Sequence, residues 1–381
     1  MDVERLRAET PGCQDKVYLA APGTALQSAG THAAVRRHLA REIERGGYNA
    51  QFDEAEVFDQ ERAALAELLG AEQDHVALAE SGTHAWWRLW GALDLCDGDR
   101  VVVSAVDYLG TVLPPLQRGV SVDVLPVGPD GVPDEDIAAE IFPGARAVVV
   151  CQAASHVGAV LDVDAVAVLR GALAPEAWFV VDVCQSAGQV SVDLAGWGAD
   201  AVFGTGRKWL RGPRGTGFLA VGDRVLALTP TPLDTNTGML IDGVAHPAAG
   251  IQRFEPFEAS WAAHAGLSCA VRELLAEGPN AVHDRIDTLN EGMRRRLADL
   301  PGLAVLDQAR NAGGIVTFVH RERAAAEVVA IARDAGIVLG MTSPHPAPYD
   351  DRLSEPVVRA GAHVYNTDEE LDRLADLLAA I

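Results

Sequence analysis

The chain has 381 residues, of which 49% are apolar and 22% charged, as in ordinary soluble globular proteins. Its formal net charge of −23 argues against nucleic acid and anionic membranes as partners, because both repel an acidic surface. No stretch resembles a signal peptide or a membrane span. The five cysteines are scattered without disulfide or metal-ligand spacing, which favours reduced thiols, no metal site and a cytoplasmic enzyme.

Short apolar segments alternate with helical stretches through the first part of the chain. Continuous apolar strands separated by helices are typical of a largely parallel sheet that is covered on both faces. Ligands of such sheets bind at the carboxyl ends of the strands. The pattern predicts strands at Val76–Ala79, Arg100–Ser104, Val120–Leu125, Ala147–Cys151, Trp178–Val181, Ala201–Phe203 and Gly217–Val221.

A smaller α/β domain is predicted in the remainder. Thr229–Gly250, rich in Pro, Thr and Gly, is predicted to form an active-site loop or a connection. The later elements are helices at Ala259–Ala276, Asn280–Ala298 and Ala324–Ala335, strands at Gly314–Val319, Ile337–Met341 and Val357–Gly361, and a last helix opened by the capping box Thr367–Glu370. We therefore predict a large domain over residues 20–250 and a small domain formed by residues 1–19 and 251–381.

Lysine is rare in this sequence, and one of the two lysines has an unusual setting. Lys208 closely follows the apolar strand that begins at Ala201, whereas Lys16 lies in a polar stretch near the N-terminus. The amine of lysine can be desolvated, deprotonated and joined to an aldehyde, which a guanidinium cannot. We interpret Lys208 as the Schiff-base lysine of a pyridoxal 5′-phosphate (PLP) enzyme.

Two polar residues near the end of an earlier strand suit the same cofactor. Asp182 closes the strand that begins at Trp178, and a buried carboxylate needs a cationic partner such as a protonated pyridine nitrogen. Gln185 could donate to the cofactor's phenolic oxygen. The alternatives are an aspartate that caps the next helix and a solvated glutamine.

Phosphate ligands are predicted in two places. Thr205 and Arg207 flank Lys208 and offer a hydroxyl and a guanidinium. Gly82 and Thr83 follow the first strand at the start of a helix, where backbone N–H groups and the positive helix end bind anions. The Gly-Thr turn is weak evidence alone, and its value lies in matching the ligands near Lys208.

Three further residues complete the predicted site. Tyr108 follows a strand and could stack on the pyridine ring. Ser155 follows another strand and is expected near the phenolic oxygen, although the adjacent His156 could be structural. Arg359 lies on a short apolar strand and could bind a substrate carboxylate in bidentate fashion, or take part in a structural ion pair.

Together these residues resemble the class V aminotransferase family, the α/β, fold-type-I PLP enzymes that include cysteine desulfurases and isopenicillin N epimerase. The motifs that carry the resemblance are Asp182-x-x-Gln185, Thr205-x-Arg207-Lys208, Gly212-Pro213-Arg214-Gly215 and Arg359 with His363-x-Tyr365-Asn366-Thr367. Within the family, Gly46-Gly47-Tyr48 and Ala154-Ser155-His156 look most like actinobacterial ergothioneine-type C–S lyases and the S-cysteine-conjugate enzymes of lincosamide antibiotic pathways.

The resemblance implies a role for most of these positions and a homodimer with active sites at the subunit interface. It places Lys208 in the Schiff base, Asp182 on the pyridine nitrogen, Tyr108 on the ring and Arg359 on the substrate carboxylate. Thr83, Thr205 and Arg207 surround the phosphate. Tyr48, Asn49 and the segments 229–250 and 342–352 are expected to set the substrate preference.

Two departures from the family bear on the reaction. Desulfurases carry a nucleophilic cysteine between the small-domain strands, but residues 340–346 contain none, which argues against persulfide chemistry. Residues 254–258 lack the threonine that many relatives contribute to the partner's phosphate, so the cross-subunit phosphate contact is in doubt.

The sequence leaves several functions open. The first hypothesis is β-elimination from an S-substituted L-cysteine, which gives a thiol, pyruvate and ammonia. Decarboxylation coupled to oxidative deamination of the same conjugate would use the same residues and give an aldehyde. An aminotransferase or epimerase of secondary metabolism is a further alternative. A PLP-free carrier or regulatory protein is disfavoured by the intact Lys208 and Asp182.

Overall fold

The computed structural model describes residues 1–307 and 312–381 and contains two main sheets. The strands are β1 (Val17–Tyr18), β2 (Val76–Ala79), β3 (Arg100–Ser104), β4 (Ser121–Leu125), β5 (Ala147–Cys151), β6 (Trp178–Asp182), β7 (Ala201–Thr205), β8 (Gly217–Val221), β9 (Gly238–Ile241), β10 (Val244–Pro247), β11 (Leu303–Val305), β12 (Val316–His320), β13 (Ile337–Val338), β14 (Gly340–Thr342) and β15 (Val357–Ala360).

The α-helices surround these sheets. They are α1 (Val3–Ala8), α2 (Ala29–Arg45), α3 (Gly47–Asp53), α4 (Ala55–Leu69), α5 (Gly82–Ala92), α6 (Leu109–Gln117), α7 (Glu135–Ile141), α8 (Val163–Gly171), α9 (Leu194–Trp197), α10 (Asp223–Leu226), α11 (Trp261–Glu277), α12 (Pro279–Ala298), α13 (Ala325–Asp334) and α14 (Asp368–Ala379). Short 3₁₀ turns lie at Pro11–Cys13, Gln73–His75 and Gly250–Phe254.

The larger sheet has seven strands in the order β2-β8-β7-β6-β5-β3-β4. The five strands from β7 to β4 are parallel, and β8 runs antiparallel to both β7 and β2. The predicted α/β fold with a largely parallel sheet is therefore confirmed. Because β3, β5, β6 and β7 all point the same way, the polar residues that follow them meet at one edge of the sheet.

Both faces of this sheet are buried, which explains the unbroken apolar strands. Along β5, Val148 and Val150 pack into one hydrophobic cluster and Ala147 and Val149 into the other, because successive side chains point to opposite faces. All four are fully buried. A sheet covered on both faces leaves its strand ends as the places where a ligand can approach.

A smaller antiparallel sheet, in the order β11-β12-β15-β14, has its own hydrophobic cluster. The strand predicted at 337–341 is divided into β13, which pairs in parallel with β1, and β14, which pairs with β15. The chain's start is thus joined to its C-terminal part. Helix α11, which follows residue 250, packs against α2 and α4. The division of the chain into two domains at residue 250 remains a prediction.

The prediction of a loop at 229–250 is wrong in part, because β9 and β10 form an antiparallel hairpin there. Asp242 and Gly243 connect the strands with positive φ angles of 50° and 81°. An Asp-Gly pair is the sequence typical of such a tight turn.

The capping box that opens α14 is confirmed, because the side chains of Thr367 and Glu370 each form a hydrogen bond with the backbone N–H of the other residue.

Within the two described ranges, no helix combines the length and the apolar character that crossing a membrane would need.

A fully buried ion pair joins two helices of the structure and offers a test of the packing. Glu61 of α4 lies 2.9 Å from His264 of α11, and both side chains are 0% exposed. Burial opposes the charge of the imidazole, but the adjacent carboxylate outweighs it and raises the pKa of His264. Removing one member leaves the other polar group buried without its partner.

We therefore expect Glu61→Ala to lower the free energy of unfolding by roughly 3–5 kcal/mol. Urea denaturation followed by circular dichroism measures the change. Glu67→Ala, at an exposed position of the same helix, is the matched control and should stay close to wild type. Equal stability of the two variants would contradict a structural role of the pair.

Candidate active site

A cavity of about 430 Å³ lies at the carboxyl edge of the large sheet, between it and the smaller sheet. Strand ends of the large sheet supply one wall, and β14 and β15 of the small sheet supply the other. Ten of the twelve predicted site residues line it, namely Gly82, Thr83, Tyr108, Ser155, Asp182, Gln185, Thr205, Arg207, Lys208 and Arg359.

Lys208 lies in the turn after β7, on the wall of this cavity. Burial lowers the pKa of its ammonium group to about 8, because the charged form loses its hydration. The other lysine, Lys16, is exposed. The fold thus gives Lys208 an amine that is deprotonated far more readily than that of a surface lysine.

Asp182 ends β6 and is only 6% exposed. One of its carboxylate oxygens accepts a hydrogen bond of 2.7 Å from the backbone N–H of Cys184. Burial raises the pKa of the carboxyl, and the positive charge of Lys208 opposes that rise. Asp182 forms no ion pair with any of the basic residues at 1–307 and 312–381, so it is available to a cationic ligand atom.

The start of α5 closes another side of the cavity. Ser81 caps the helix by accepting from the N–H of His84 at 3.1 Å, so Gly82 and Thr83 begin the first turn at the positive helix end. A Cβ at Gly82 would lie 2.5 Å from the sulfur of Cys184, so this position requires glycine. A phosphate group can approach the helix N-terminus here.

Two arginines of the cavity have no carboxylate partner among the described residues. Arg207 donates to the carbonyl oxygen of Gly23, and Arg359, on β15, donates to that of Ser155. Burial lowers the pKa of Arg359 to about 10, and the charge of Arg207 adds to that effect. In a chain of net charge −23, two partly buried cations without anions favour an anionic ligand.

Tyr108 stands at the start of α6, and it is 46% exposed on the cavity side. The preceding Asp107 is buried and accepts from the N–H groups of Ser104 at 2.9 Å and Cys151 at 2.6 Å. Burial raises the pKa of Asp107 to about 7. Asp107 therefore ties β3 to β5 and fixes the turn that presents Tyr108.

Gln185 and Ser155 differ in their freedom to bind a ligand. The Gln185 amide donates to the carbonyl of Pro22 at 3.1 Å and accepts from the indole N–H of Trp209 at 3.0 Å. The hydroxyl oxygen of Ser155 is buried and has no partner within the described ranges. Gln185 is thus held in a network beside Lys208, whereas Ser155 has unused hydrogen-bonding capacity.

Two predicted substrate residues lie outside the cavity of their own chain. Tyr48 and Asn49 belong to α3, which follows the surface helix α2. Tyr48 is 63% exposed and lies 6.0 Å from the ring of Phe257. The amide of Asn49 donates to the carbonyl oxygen of Arg45 at 2.9 Å. Their proposed contact with substrate would therefore have to be made in another subunit's site.

Several lining residues were not identified from the sequence. They are Pro22, Trp86, Gly110, Thr111, Cys151, Ala153, Cys184, Phe203, Met341 and Pro356. Cys184 could have been noticed, because it lies between Asp182 and Gln185 of the motif. Thr342, Ser343 and Pro346 belong to the segment 342–352, which the sequence analysis expects to set the substrate preference, and they line the cavity. Among the described residues, none of the other such segment, 229–250, lines it.

The chain matches the aminotransferase class V family over residues 17–374. It belongs to that family. A probable hercynylcysteine sulfoxide lyase of Mycobacterium tuberculosis is 31% identical over 99% of this chain and 93% of its own. An isopenicillin N epimerase of Streptomyces clavuligerus is 28% identical over 84% of each chain.

The fold agrees with this membership. The solved structure of a cysteine desulfurase from Thermococcus onnurineus NA1 superimposes with a TM-score of 0.89, covering 99% of this chain and 97% of its own at 21% identity. The predicted fold-type-I architecture is confirmed. So is the prediction of an enzyme, since class V aminotransferases are PLP-dependent.

The cavity residues of this class V aminotransferase fit PLP. Arg207 and the N-terminus of α5 suit the phosphate, and the carboxylate of Asp182 suits a protonated pyridine nitrogen. The amine of Lys208, whose pKa is lowered by burial, suits the aldehyde. The predicted cofactor is therefore confirmed at the level of the family and is compatible with the chemistry of this site.

The scarcity of lysine permits a direct test of the cofactor attachment. We expect borohydride to fix the cofactor on the peptide that contains Lys208, as read by mass spectrometry after proteolysis. Lys208→Ala should abolish this labelling and lower turnover by at least about 100-fold, because the variant loses both the covalent link and the base. Lys16→Ala is the matched control and should behave as wild type. Labelling that survives in Lys208→Ala would contradict the assignment.

Proposed function

We propose that this enzyme is a C–S lyase that acts on an S-substituted L-cysteine. One observation carries the proposal: the cavity combines a lysine of lowered pKa with two arginines that have no carboxylate partner, and its small-sheet wall has no thiol, among the residues at 1–307 and 312–381. The similarity to a probable hercynylcysteine sulfoxide lyase over nearly the whole chain supports the same class of substrate.

In this proposal each of the two arginines binds a different anion. Arg207, together with Thr83, Thr205 and the first turn of α5, holds the cofactor phosphate at the large sheet. Arg359 on the small sheet holds the substrate carboxylate. The amino acid then lies between the two sheets, with its Cα near Lys208.

Asp182 and Lys208 carry the proton chemistry. Bound PLP supplies an electron sink for the charge that develops at Cα. Asp182 would keep a proton on the pyridine nitrogen of bound PLP, and Tyr108 would lie against its ring. The amine of Lys208, with a pKa of about 8, takes the Cα proton at neutral to mildly alkaline pH.

The bond that breaks next is the one between Cβ and sulfur. The thiolate leaves with the bonding electrons and takes up a proton, and the remaining enamine is hydrolysed by one water to pyruvate and ammonia. Atoms and charge balance without an external oxidant or reductant.

The two cysteines in the cavity do not favour persulfide transfer. Burial and nearby carboxylates raise the pKa of the Cys184 and Cys151 thiols well above the ordinary value. Thiols in that state are poor nucleophiles. The segment 340–346, where desulfurases carry their reactive cysteine, has none. Sulfur is therefore expected to leave as a free thiol.

Subunit assembly and biological context are part of the proposal. A homodimer would bring Tyr48 and Asn49 of one chain toward the cavity of the other. The exposed apolar side chains near them, such as Ile43 and Phe52, support a covered surface there. A cytoplasmic location, an actinobacterial source and a place in antibiotic biosynthesis remain predictions.

The products decide between the candidate reactions. Holoenzyme incubated with S-methyl-L-cysteine is expected to release methanethiol and pyruvate in equal amounts, measured with a thiol reagent and a lactate dehydrogenase assay. Carbon dioxide with a sulfur-containing aldehyde would support decarboxylating deamination instead. Racemised substrate would support an epimerase, an alternative favoured by the similarity to isopenicillin N epimerase. A dependence on keto acid would support an aminotransferase.

The role proposed for Arg359 has its own test. Arg359→Ala should raise KM for S-methyl-L-cysteine by roughly 100-fold, because the carboxylate loses a bidentate partner. The cofactor spectrum should stay intact. S-methylcysteamine, which lacks the carboxylate, should bind the variant and the wild type alike, so it serves as the control ligand. Loss of cofactor from Arg359→Ala would contradict the assigned role.

A further inference from the structure

The cavity wall on the small-sheet side continues into a segment that we call the rim segment, residues 341–350. Met341, Thr342, Ser343 and Pro346 of this segment line the cavity on the side that also carries Arg359. Among the described residues, Arg359 is the one charged group that this side presents to the cavity. If Arg359 holds the carboxylate as proposed above, the rim segment is the part of the chain that faces an uncharged sulfur substituent.

The rim segment is built to keep one conformation. Three prolines, Pro344, Pro346 and Pro348, occur within five residues and restrict the backbone. Two consecutive turns stabilise it further, with the N–H of Ala347 bonded to Pro344 at 3.1 Å and that of Asp350 bonded to Ala347 at 3.2 Å. Little backbone freedom remains between the strand β14 and Asp350.

Two hydrogen bonds, at Pro346 and Asp350, tie the rim segment to turns that follow strands of the large sheet. The N–H of Leu109, next to Tyr108, donates to the carbonyl oxygen of Pro346 at 2.7 Å. Farther along, Nε2 of His156 donates to the carboxylate of Asp350 at 2.6 Å. The side chains of His156 and Asp350 are only 1% and 2% exposed. The segment is thus tied to the turns after β3 and β5 and not only to its own sheet.

Asp350 is kept ionised by a second partner. The guanidinium of Arg352 donates to both of its oxygens, at 2.9 Å and 3.0 Å through Nε. Burial opposes the charge, but the hydrogen bonds from His156 and Arg352 outweigh it and hold the pKa of Asp350 well below its ordinary range. Arg352 in turn packs on Gly131, where an added Cβ would lie 2.6 Å from Nη1.

His156 adjoins a residue of the site itself. Ser155, its neighbour in the chain, accepts from Arg359 through its carbonyl oxygen and lines the cavity. Displacing His156 would therefore disturb the rim segment on one side and the setting of Arg359 on the other. The histidine lines no part of the cavity, so it acts through these neighbours.

We propose that His156 and Asp350 are positioning residues that fix the rim segment as the wall for the sulfur substituent. This inference rests on the function proposed above. The wall sets which S-substituents are accepted, and the pair keeps it closed against the large domain.

The test compares a ligand that reaches the wall with one that does not. Binding of S-butyl-L-cysteine and of L-alanine to holoenzyme is followed by the absorbance change of the cofactor. His156→Ala should raise the Kd of S-butyl-L-cysteine about tenfold, as expected when about two methylene groups lose their contact. The Kd of L-alanine should change less than about threefold, since it carries no sulfur substituent.

Two variants separate positioning from general stability. His156→Gln places an amide N–H near the position of Nε2 and should restore most of the affinity for S-butyl-L-cysteine. His264→Ala breaks the equally buried pair with Glu61 elsewhere in the fold and should leave the ratio of the two Kd values unchanged. If His156→Ala does not fold, Asp350→Asn supplies the same comparison.

The proposal would be overturned if the ratio of the Kd of S-butyl-L-cysteine to that of L-alanine stayed unchanged in both His156→Ala and Asp350→Asn. It would also be overturned if His264→Ala changed this ratio by the same factor as His156→Ala. The titration reads binding and not product. Selective loss of S-butyl-L-cysteine binding would therefore support the wall even if no thiol were formed, in which case only the lyase function would fail.

Discussion

The site depends on desolvated positive charge in a strongly acidic chain. Lys208, Arg207 and Arg359 share one cavity, and Asp182 supplies the one carboxylate that lines it among the residues that the structure describes. Burial lowers the pKa of all three basic groups, and Arg207 lowers that of Lys208 further. Such an arrangement is costly without anions. A phosphate and a carboxylate would satisfy the two guanidiniums, and the lysine is left as the group that can exchange a proton.

The parallel sheet makes this concentration possible. Because β5, β6 and β7 run in the same direction, Cys151, Asp182 and Thr205 end at the same edge although they are far apart in the sequence. Asp107 adds rigidity by bonding the backbone of two neighbouring strands. The large sheet therefore holds the site residues at its strand ends in fixed positions relative to one another. A small change at one strand end would shift the geometry of the whole site.

The small sheet supplies what the large sheet lacks, namely Arg359 and the rim segment. Its attachment is polar and specific, through Pro346 to Leu109 and Asp350 to His156. The rim segment is proline-rich, contains no cysteine and is hydrogen-bonded to turns that follow strands of the large sheet, as suits a wall that shapes a substrate pocket.

The sequence by itself predicted the seven strands of the large sheet and the PLP dependence that the family match bears out. It also singled out polar residues that the structure brings together at the cavity. These signals are local: apolar runs bounded by turns, an aspartate at a strand end, and a lone lysine among arginines. It missed the hairpin β9–β10, although Asp242-Gly243 was a turn signal, because the composition of the segment dominated the interpretation.

Only the tertiary structure decided which distant residues meet. The pairing of His156 with Asp350 spans 194 positions, and no local pattern encodes it. Packing likewise brings Pro22 and Trp209 to the two ends of the Gln185 amide. It also leaves Tyr48 and Asn49 outside the cavity of their own chain. Local propensity fixes elements, whereas contacts between elements depend on the whole chain's burial and hydrogen bonding.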